Sequence, residues 1–230
     1  MKKIFLFWLG LQTLGLHAWG IELVEPGWEK ISEDDGVKVY KKEIPGDPFI
    51  AFRGEGFVEA STIKVASMMG NLELAKEWID SLDEIKVIRK ISDYEDIEYN
   101  HVGTPFVVKD RDFVLHNKVE IDPIGKTISI NFRSVEDPDA PKTNYIRGEV
   151  HSSSFILKSF GEEKTYFICE VHADPKGSLA AWMVNMFQKK WPRNTINAIR
   201  EQMKKPNIKI LPQFEHAFKP KVSSGLAEKN

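Results

Sequence analysis

Few side chains in this 230-residue chain have the type and spacing that polar chemistry needs. The clearest is Asn117. In RDFVLHNKVEI, residues 111–121, period-two alternation puts Arg111, Phe113, Leu115, Asn117, Val119 and Ile121 on one strand face, and Asp112, Val114, His116, Lys118 and Glu120 on the other. The first face is the more apolar and should point inward, carrying an amide with it. An inward amide can hydrogen-bond a bound polar group, the protein itself or a buried water. Arg111, at the strand start, is expected at a rim or in a salt bridge. His101, His116, His151 and His172 fall in strand-like runs, and His17 and His216 outside the main body. None has HExxH or similar ligand spacing, so they read as surface residues and no metal is assigned. Cys169 is the only cysteine; it can form neither an internal disulfide nor a cysteine cage and reads as a small apolar core residue. One hydroxyl of Ser152-Ser153-Ser154 can face inward, but no base is placed beside it. GxSxG, P-loop and GxGxxG patterns are absent. No catalytic residue and no cofactor follow from this inventory.

The elements that must position these residues are legible as periodicities. Residues 174–205, DPKGSLAAWMVNMFQKKWPRNTINAIREQMKK, form the longest helical pattern of the body. Ser178 is the expected N-cap, and Pro192 should kink the helix because it lacks an N–H. Its apolar stripe runs through Leu179, Trp182, Met183, Met186 and Phe187 to Ile196, Ile199 and Met203, with Lys189, Lys190, Arg193 and Arg200 mostly off it. Before it come strands: VKVYKKEI, FIAFRGEGFVEA, then two short helices over residues 61–80 broken at Gly70-Asn71, with Asn71 a cap, then six more strand runs separated by turn clusters. Gly54 and Gly56 inside the second strand suggest a bend or bulge. Short gaps imply antiparallel neighbours. The order β-β-α-α-β-β-β-β-β-β-α predicts an α+β fold. One curved antiparallel sheet of about eight strands would grip the final helix and leave an internal cavity between them.

Composition narrows the class. The formal net charge of −2 gives no reason to expect nucleic acid, and 11% aromatics with six Trp imply much apolar area to bury. Residues 1–20, MKKIFLFWLGLQTLGLHAWG, read as a cleavable signal peptide: a Lys2-Lys3 start, an apolar stretch too short to span comfortably, and small residues at 18 and 20. That predicts cleavage near Gly20 and a secreted or periplasmic chain; the alternative is an uncleaved anchor. Residues 21–206 form the predicted domain. Residues 207–230, with Pro212, Pro220 and Ser223-Ser224-Gly225 and no periodicity, are expected to be a disordered tail.

Several fragments, in order and spacing, resemble the START domain, the lipid-transfer domain related to the steroidogenic acute regulatory protein: GWEKISEDDGVKVYKKEIPG (27–46), FRGEG (52–56), LAKEWIDSLDEIKVI (74–88), RDFV (111–114) and HADPKGSLAAWMVNMF (172–187). The resemblance covers residues 28–205. It implies a helix-grip fold with a lipid-sized cavity roofed by the C-terminal helix, and binding and shuttling of one lipid rather than catalysis. In steroid-binding relatives an acid on the strand before RDFV can pair with an Arg just after it. The matching positions here are Glu98 and Asn117, so the base is replaced by an amide and sterol specificity is not carried over. An unpaired Glu98 should find another donor, take up a proton or face water. Ala180 stands where the family often has Pro.

Alternation, the helical stripe and the resemblance together give the cavity candidates: Glu98, Phe113, Leu115, Asn117, Phe167, Cys169, Trp182, Met183, Met186 and Phe187. The expected partner is a lipid or other hydrophobic small molecule, bound by a monomer. The basic outer side of the last helix reads either as a solvated face or as a transient contact with anionic membranes. Pro192 and the loop at Gly103-Thr104-Pro105 are candidate hinges. Two alternatives stay open: an aromatase- or cyclase-like enzyme of related helix-grip type, and a module that senses a lipid without transferring it.

Overall fold

The computed structural model describes residues 26–104 and 108–219. The expected signal peptide, Pro105 of the expected hinge loop and residues 220–230 lie outside them. The strands are β1 Glu29–Asp34, β2 Val37–Lys42, β3 Ala51–Val58, β4 Leu82–Ser92, β5 Glu95–Val102, β6 Arg111–Asp122, β7 Thr127–Ser134, β8 Ile146–Arg147, β9 Glu149–Ser159 and β10 Thr165–Asp174. They form one sheet in the order β1-β2-β3-β10-β9-β7-β6-β5-β4, with β8 beside β6. Every pairing is antiparallel except β6 with β8. The eight predicted strands are all present. β1 is an addition, and the predicted run NYIRGEVHSSSFILKSF divides at Gly148 into the two-residue β8 and β9. β1 escaped sequence reading because it is a charged, solvent-facing edge strand with no apolar alternation. It turns into β2 through Asp35 and Gly36, whose φ values of 50° and 65° make the Asp-Gly hairpin turn that matches strand twist.

Between β3 and β4 lie α1, Thr62–Met69, capped by the Ser61 side chain accepting from the Lys64 N–H, and a 3-10 turn, Leu72–Glu77, capped by Asn71. The C-terminal helix is two helices rather than one kinked helix: α2, Ala181–Gln188, and α3, Trp191–Met203. Pro192 stands in the first turn of α3, where its missing N–H costs nothing, so the break falls at Lys189 and Lys190 ahead of it. The N-cap of α2 is Ala180, without a capping side chain, rather than Ser178.

α3 lies across β3, and Gly54 and Gly56 explain how closely. A Cβ on Gly54 would stand 2.6 Å from the Pro192 Cβ and 3.3 Å from the Cys169 Sγ; one on Gly56 would stand 3.2 Å from the Gly36 carbonyl oxygen. The registers of β3 with β2 and β10 run unbroken, so these glycines mark helix approach, not the expected bulge. The register shifts that bend the sheet are concentrated in β4. Ile196 and Ile199 of α3 are fully buried against this floor. Arg200, read from sequence as part of a basic face, donates from Nε to the Phe57 carbonyl and from Nη1 to the Asp35 carbonyl, both at 2.9 Å.

Residues 207–219 depart from the disordered tail expected there. Phe214 and Ala217 join the core that includes α1, and the Leu211 N–H donates to the Ser67 hydroxyl at 3.1 Å. Isolated apolar anchors in a Pro-containing segment left no period to detect. Gly54→Ala is expected to force α3 off β3 and to cost about 1–3 kcal/mol, read as a lower urea midpoint at unchanged slope.

Candidate functional site

A cavity of about 520 Å³ lies on the concave side of the sheet, within the range of about 300–1,000 Å³ typical of small-molecule sites. Its walls come from β4, β5, β6, β7, β9 and β10. Its roof comes from the 3-10 segment, Gln213 and Phe214, and the Gln188, Trp191 and Thr195 side chains. Val87 and Tyr94 both line it and are exposed, which places its mouth beside β4; there the Tyr94 hydroxyl donates to the Gln213 carbonyl at 2.9 Å.

The inward alternation of β6 places Phe113, Leu115 and Asn117 on the wall, and Glu98 joins them from β5. The outer face of β6 is not solvent at its start. Val114 is buried there, and Asp112 accepts from Arg147 Nε at 2.8 Å and the Thr143 hydroxyl at 2.7 Å. Phe167 and Cys169 do not line the cavity. On β10 only Val171 and Ala173 do, because the earlier part of that face is filled by α3. Phe167 and Cys169 are fully buried in the core, and burial pushes the Cys169 thiol pKa up, consistent with an inert packing residue. Trp182, Met183, Met186 and Phe187 are not on the wall either. Trp182, Met186 and Phe187 are 67%, 45% and 46% exposed. The inward stripe is instead Val184, which is buried outside the cavity, followed by Gln188, Trp191 and Thr195, which line it. Two of its four members are polar, which hid it from a hydrophobicity pattern.

Sequence reasoning missed Asn100 and Trp78 as wall residues, and of the Ser152-Ser153-Ser154 run it is Ser153 that lines the cavity. The signal for Asn100 was present in β5. Asp96, Glu98, Asn100 and Val102 alternate into the cavity while Ile97, Tyr99 and His101 face the other way and are buried. Both faces of β5 are covered, and the polar one is turned inward. Polar atoms on the wall are left without partners: Trp78 Nε1, Asn100 Oδ1, Ser153 Oγ and Gln188 Oε1 are buried and unbonded. Buried polar groups almost always find a partner, so this surface offers open hydrogen-bonding positions to water or to a bound polar group.

Electrostatics give that surface a sign. Among the described residues the charged wall groups are Asp80, Asp93, Asp96 and Glu98, and no Lys, Arg or His lines the cavity. Asn117 Nδ2 donates to Asp96 Oδ1 at 3.0 Å. Burial, and then repulsion from Asp96, push Glu98 up to about 7 against the opposing hydrogen bond from Asn117. Burial also raises Asp96, with Asn117 again opposing. The amide thus replaces the missing base only in part. The cluster accepts hydrogen bonds and attracts positive charge.

A raised carboxyl weakens the fold as pH rises. The unfolded chain releases the Glu98 proton near 4.5, while the folded chain holds it to about 7. Stability therefore falls across that window, by on the order of 3 kcal/mol, and the loss is complete above it. Glu98→Gln is expected to match the parent below pH 4.5 and to gain most of that difference by pH 8, measured by denaturation across pH. An unchanged pH profile would place Glu98 in water.

Comparison with known proteins agrees with the architecture. The sequence model of the START domain matches residues 19–207. An uncharacterized protein of Pseudomonas aeruginosa is 24% identical over 178 residues, 77% of this chain and 87% of that protein. The fold is similar to human StAR-related lipid transfer protein 5, with a TM-score of 0.72 at 24% identity over 79% of this chain and 88% of that one. It is also similar to a STAR-related lipid transfer protein from Xanthomonas axonopodis, with a TM-score of 0.69 at 23% identity over 78% and 99%. At these identities the solved structures establish the fold alone. The family match spans most of the sequence, and the chain belongs to the START domain family, whose fold binds lipids and other hydrophobic ligands.

Proposed function

We propose that this protein binds one hydrophobic molecule with a neutral or cationic, hydrogen-bond-donating end and passes it between membranes. The observation that carries the reading is the sign of the wall: apolar side chains interrupted by carboxylates, with no cationic group among the described lining residues. A fatty acid or another molecule ending in an anion would bring like charge against Asp96 and Glu98, which is destabilising at close range. A hydroxyl or amine would instead donate to the unpartnered Asn100 Oδ1 and Ser153 Oγ and to the acceptor positions of Asp96 and Glu98 that Asn117 leaves open.

The apolar part of the ligand supplies the reason for a carrier. Each methylene exposed to water costs about 0.8 kcal/mol, so a dozen cost roughly 10 kcal/mol. A closed cavity removes most of that barrier to crossing water. Delivery needs a membrane-facing surface, and α2 offers one: exposed Trp182, Met186 and Phe187, followed by exposed Lys189 and Lys190, the composition that settles at an anionic bilayer interface. The basic-apolar segment at residues 1–20 would direct this exchange to a secreted or periplasmic setting.

One observation favours a second reading. A carboxyl with a pKa of about 7 suits general acid–base chemistry near neutral pH, as a cyclase-like enzyme would need. Turnover of a cavity-bound substrate, abolished in Glu98→Gln, would support that reading over a carrier.

The carrier is tested by solvent extraction and mass spectrometry of the purified chain. One donor-ended lipid per protein is expected, and Leu115→Trp is expected to lower that occupancy severalfold without unfolding the chain. An anion-ended ligand, or an empty protein with no transfer between labelled vesicles, would overturn the reading. The double variant Trp182→Ala, Phe187→Ala is expected to slow vesicle-to-vesicle transfer by about tenfold or more, since about 1.4 kcal/mol of lost interfacial binding is already tenfold. Its ligand occupancy should be unchanged.

A further inference from the structure

On the convex side of the sheet, away from the cavity, three side chains converge that no part of the ligand reading uses. Between His172 and Ala173 the β9–β10 register slips by one residue: His172 pairs with Ser152 and Ala173 with Val150, leaving His151 as the extra residue of a bulge. The bulge brings two imidazoles that would otherwise alternate onto the same face, their ring centroids 4.7 Å apart. The β2–β3 turn then lays Asp47 over them. Asp47 Oδ2 is 3.1 Å from His172 Nε2 and 3.8 Å from His151 Nε2, and the donor atoms of the three residues all lie within 4.8 Å of one another.

We propose that Asp47, His151 and His172 form a binding site for a divalent transition metal of the zinc type. Four features point there. Two imidazoles and one carboxylate are a donor set that zinc takes with a fourth position left open. Ligands about 2.0–2.1 Å from a tetrahedral metal stand roughly 3.3 Å from each other, and the two separations from Asp47 Oδ2 bracket that spacing. His172 is 9% exposed, and its Nε2 faces Asp47 Oδ2 at 3.1 Å without the alignment of a hydrogen bond; two donor atoms facing each other in this way are what a metal between them would complete. Finally, the orienting groups are in place. Asp47 Oδ1 accepts from the Phe49 N–H at 2.9 Å, fixing the carboxylate. His151 Nδ1 stands 3.4 Å from Glu149 Oε1, so a carboxylate can hold the Nδ1 proton and leave Nε2 to coordinate. Lys176 holds the other oxygen of Glu149 at 2.7 Å.

The site would tie a specific element. The turn that carries Asp47 also holds α2: Asn185 accepts from the Ile50 N–H at 3.0 Å and donates to the Pro48 carbonyl at 3.2 Å. A metal here fastens that turn to β9 and β10, and through Asn185 fixes where α2 rests. A second cluster, Asp83, His101 and Asp110, offers one imidazole and two carboxylates. Its ring is stacked on Tyr145, and both Asp110 oxygens are already engaged by His101 and Thr104. It serves as the control.

The experiment is a titration of the chelator-stripped full chain with zinc chloride, following bound metal by elemental analysis and thermal unfolding. One zinc per chain is expected, with a rise in Tm of about 5–10 °C at a hundredfold excess over Kd. His151→Gln and Asp47→Asn are expected to abolish both responses while unfolding like the parent in chelator. Glu149→Ala should weaken binding by about 10–100-fold, and His101→Gln should bind as the parent does. No bound zinc and no Tm shift in the parent would overturn the proposal. So would binding that survives His151→Gln, or binding lost in His101→Gln.

Discussion

The structure depends on one close contact, the seat of α3 on β3. A sheet can wrap a helix only if somewhere the two backbones come within reach of each other. Gly54 and Gly56 provide that place by presenting no side chain where Pro192 and Ile196 press down. Arg200 fixes the other end by reaching the carbonyls of Asp35 and Phe57. With one flank of the helix held this tightly, the rest of the sheet curves past it. β4 to β7 and the inner ends of β9 and β10 then stand off from the roof, and the cavity is the volume left between them. Packing on one side and a void on the other are consequences of the same off-centre grip.

The polar groups divide the molecule in the same way. On the outer side of β5 and β6, Asp112 is satisfied by Arg147 and Thr143; around α1, Thr62 and Thr165 share a buried hydrogen bond. On the cavity side, Trp78, Asn100, Ser153 and Gln188 keep unpaired atoms, and no cation among the described residues lines the wall beside Glu98. Most of the buried side-chain atoms without a partner among the described residues lie along this one wall, with others at His172 and Gln202.

How much of this could be read from the sequence follows from how local each signal is. Turn clusters and alternation are local, so the eight main strands, the Asn71 cap and the inward set Phe113, Leu115 and Asn117 were legible. The cost of the Gly54 and Gly56 positions was not, because it depends on a helix more than a hundred residues away. The assignment of Trp182, Met186 and Phe187 to the roof assumed that apolar means buried. The break at Lys189 and Lys190 leaves α2 with Val184 as its buried residue, and the stripe that does face inward contains Gln188 and Thr195. Phe167 and Cys169 shared a strand face with true wall residues, but one face of a long strand can serve both core and cavity. β5 held the most informative pattern: in DIEYNHV the acids and amide alternate with Ile and Tyr, and only the cover over the outer face, residues 135–147, explains why the polar side turned inward.

The division of the C-terminal helix has a mechanical consequence. α3 is riveted through Ile196, Ile199 and Arg200, whereas α2 is held by one buried valine, the two hydrogen bonds of Asn185 and the one Gln188 makes to Ala173. Peeling away these eight residues exposes Val184 and the half-buried Met183 and breaks three hydrogen bonds, on the order of 3–7 kcal/mol in all, so the opened arrangement is a minor conformer. The flap can therefore swing, drawing Gln188 out of the wall, while its foundation never loosens. Motion of this kind works as a lever and leaves the core folded.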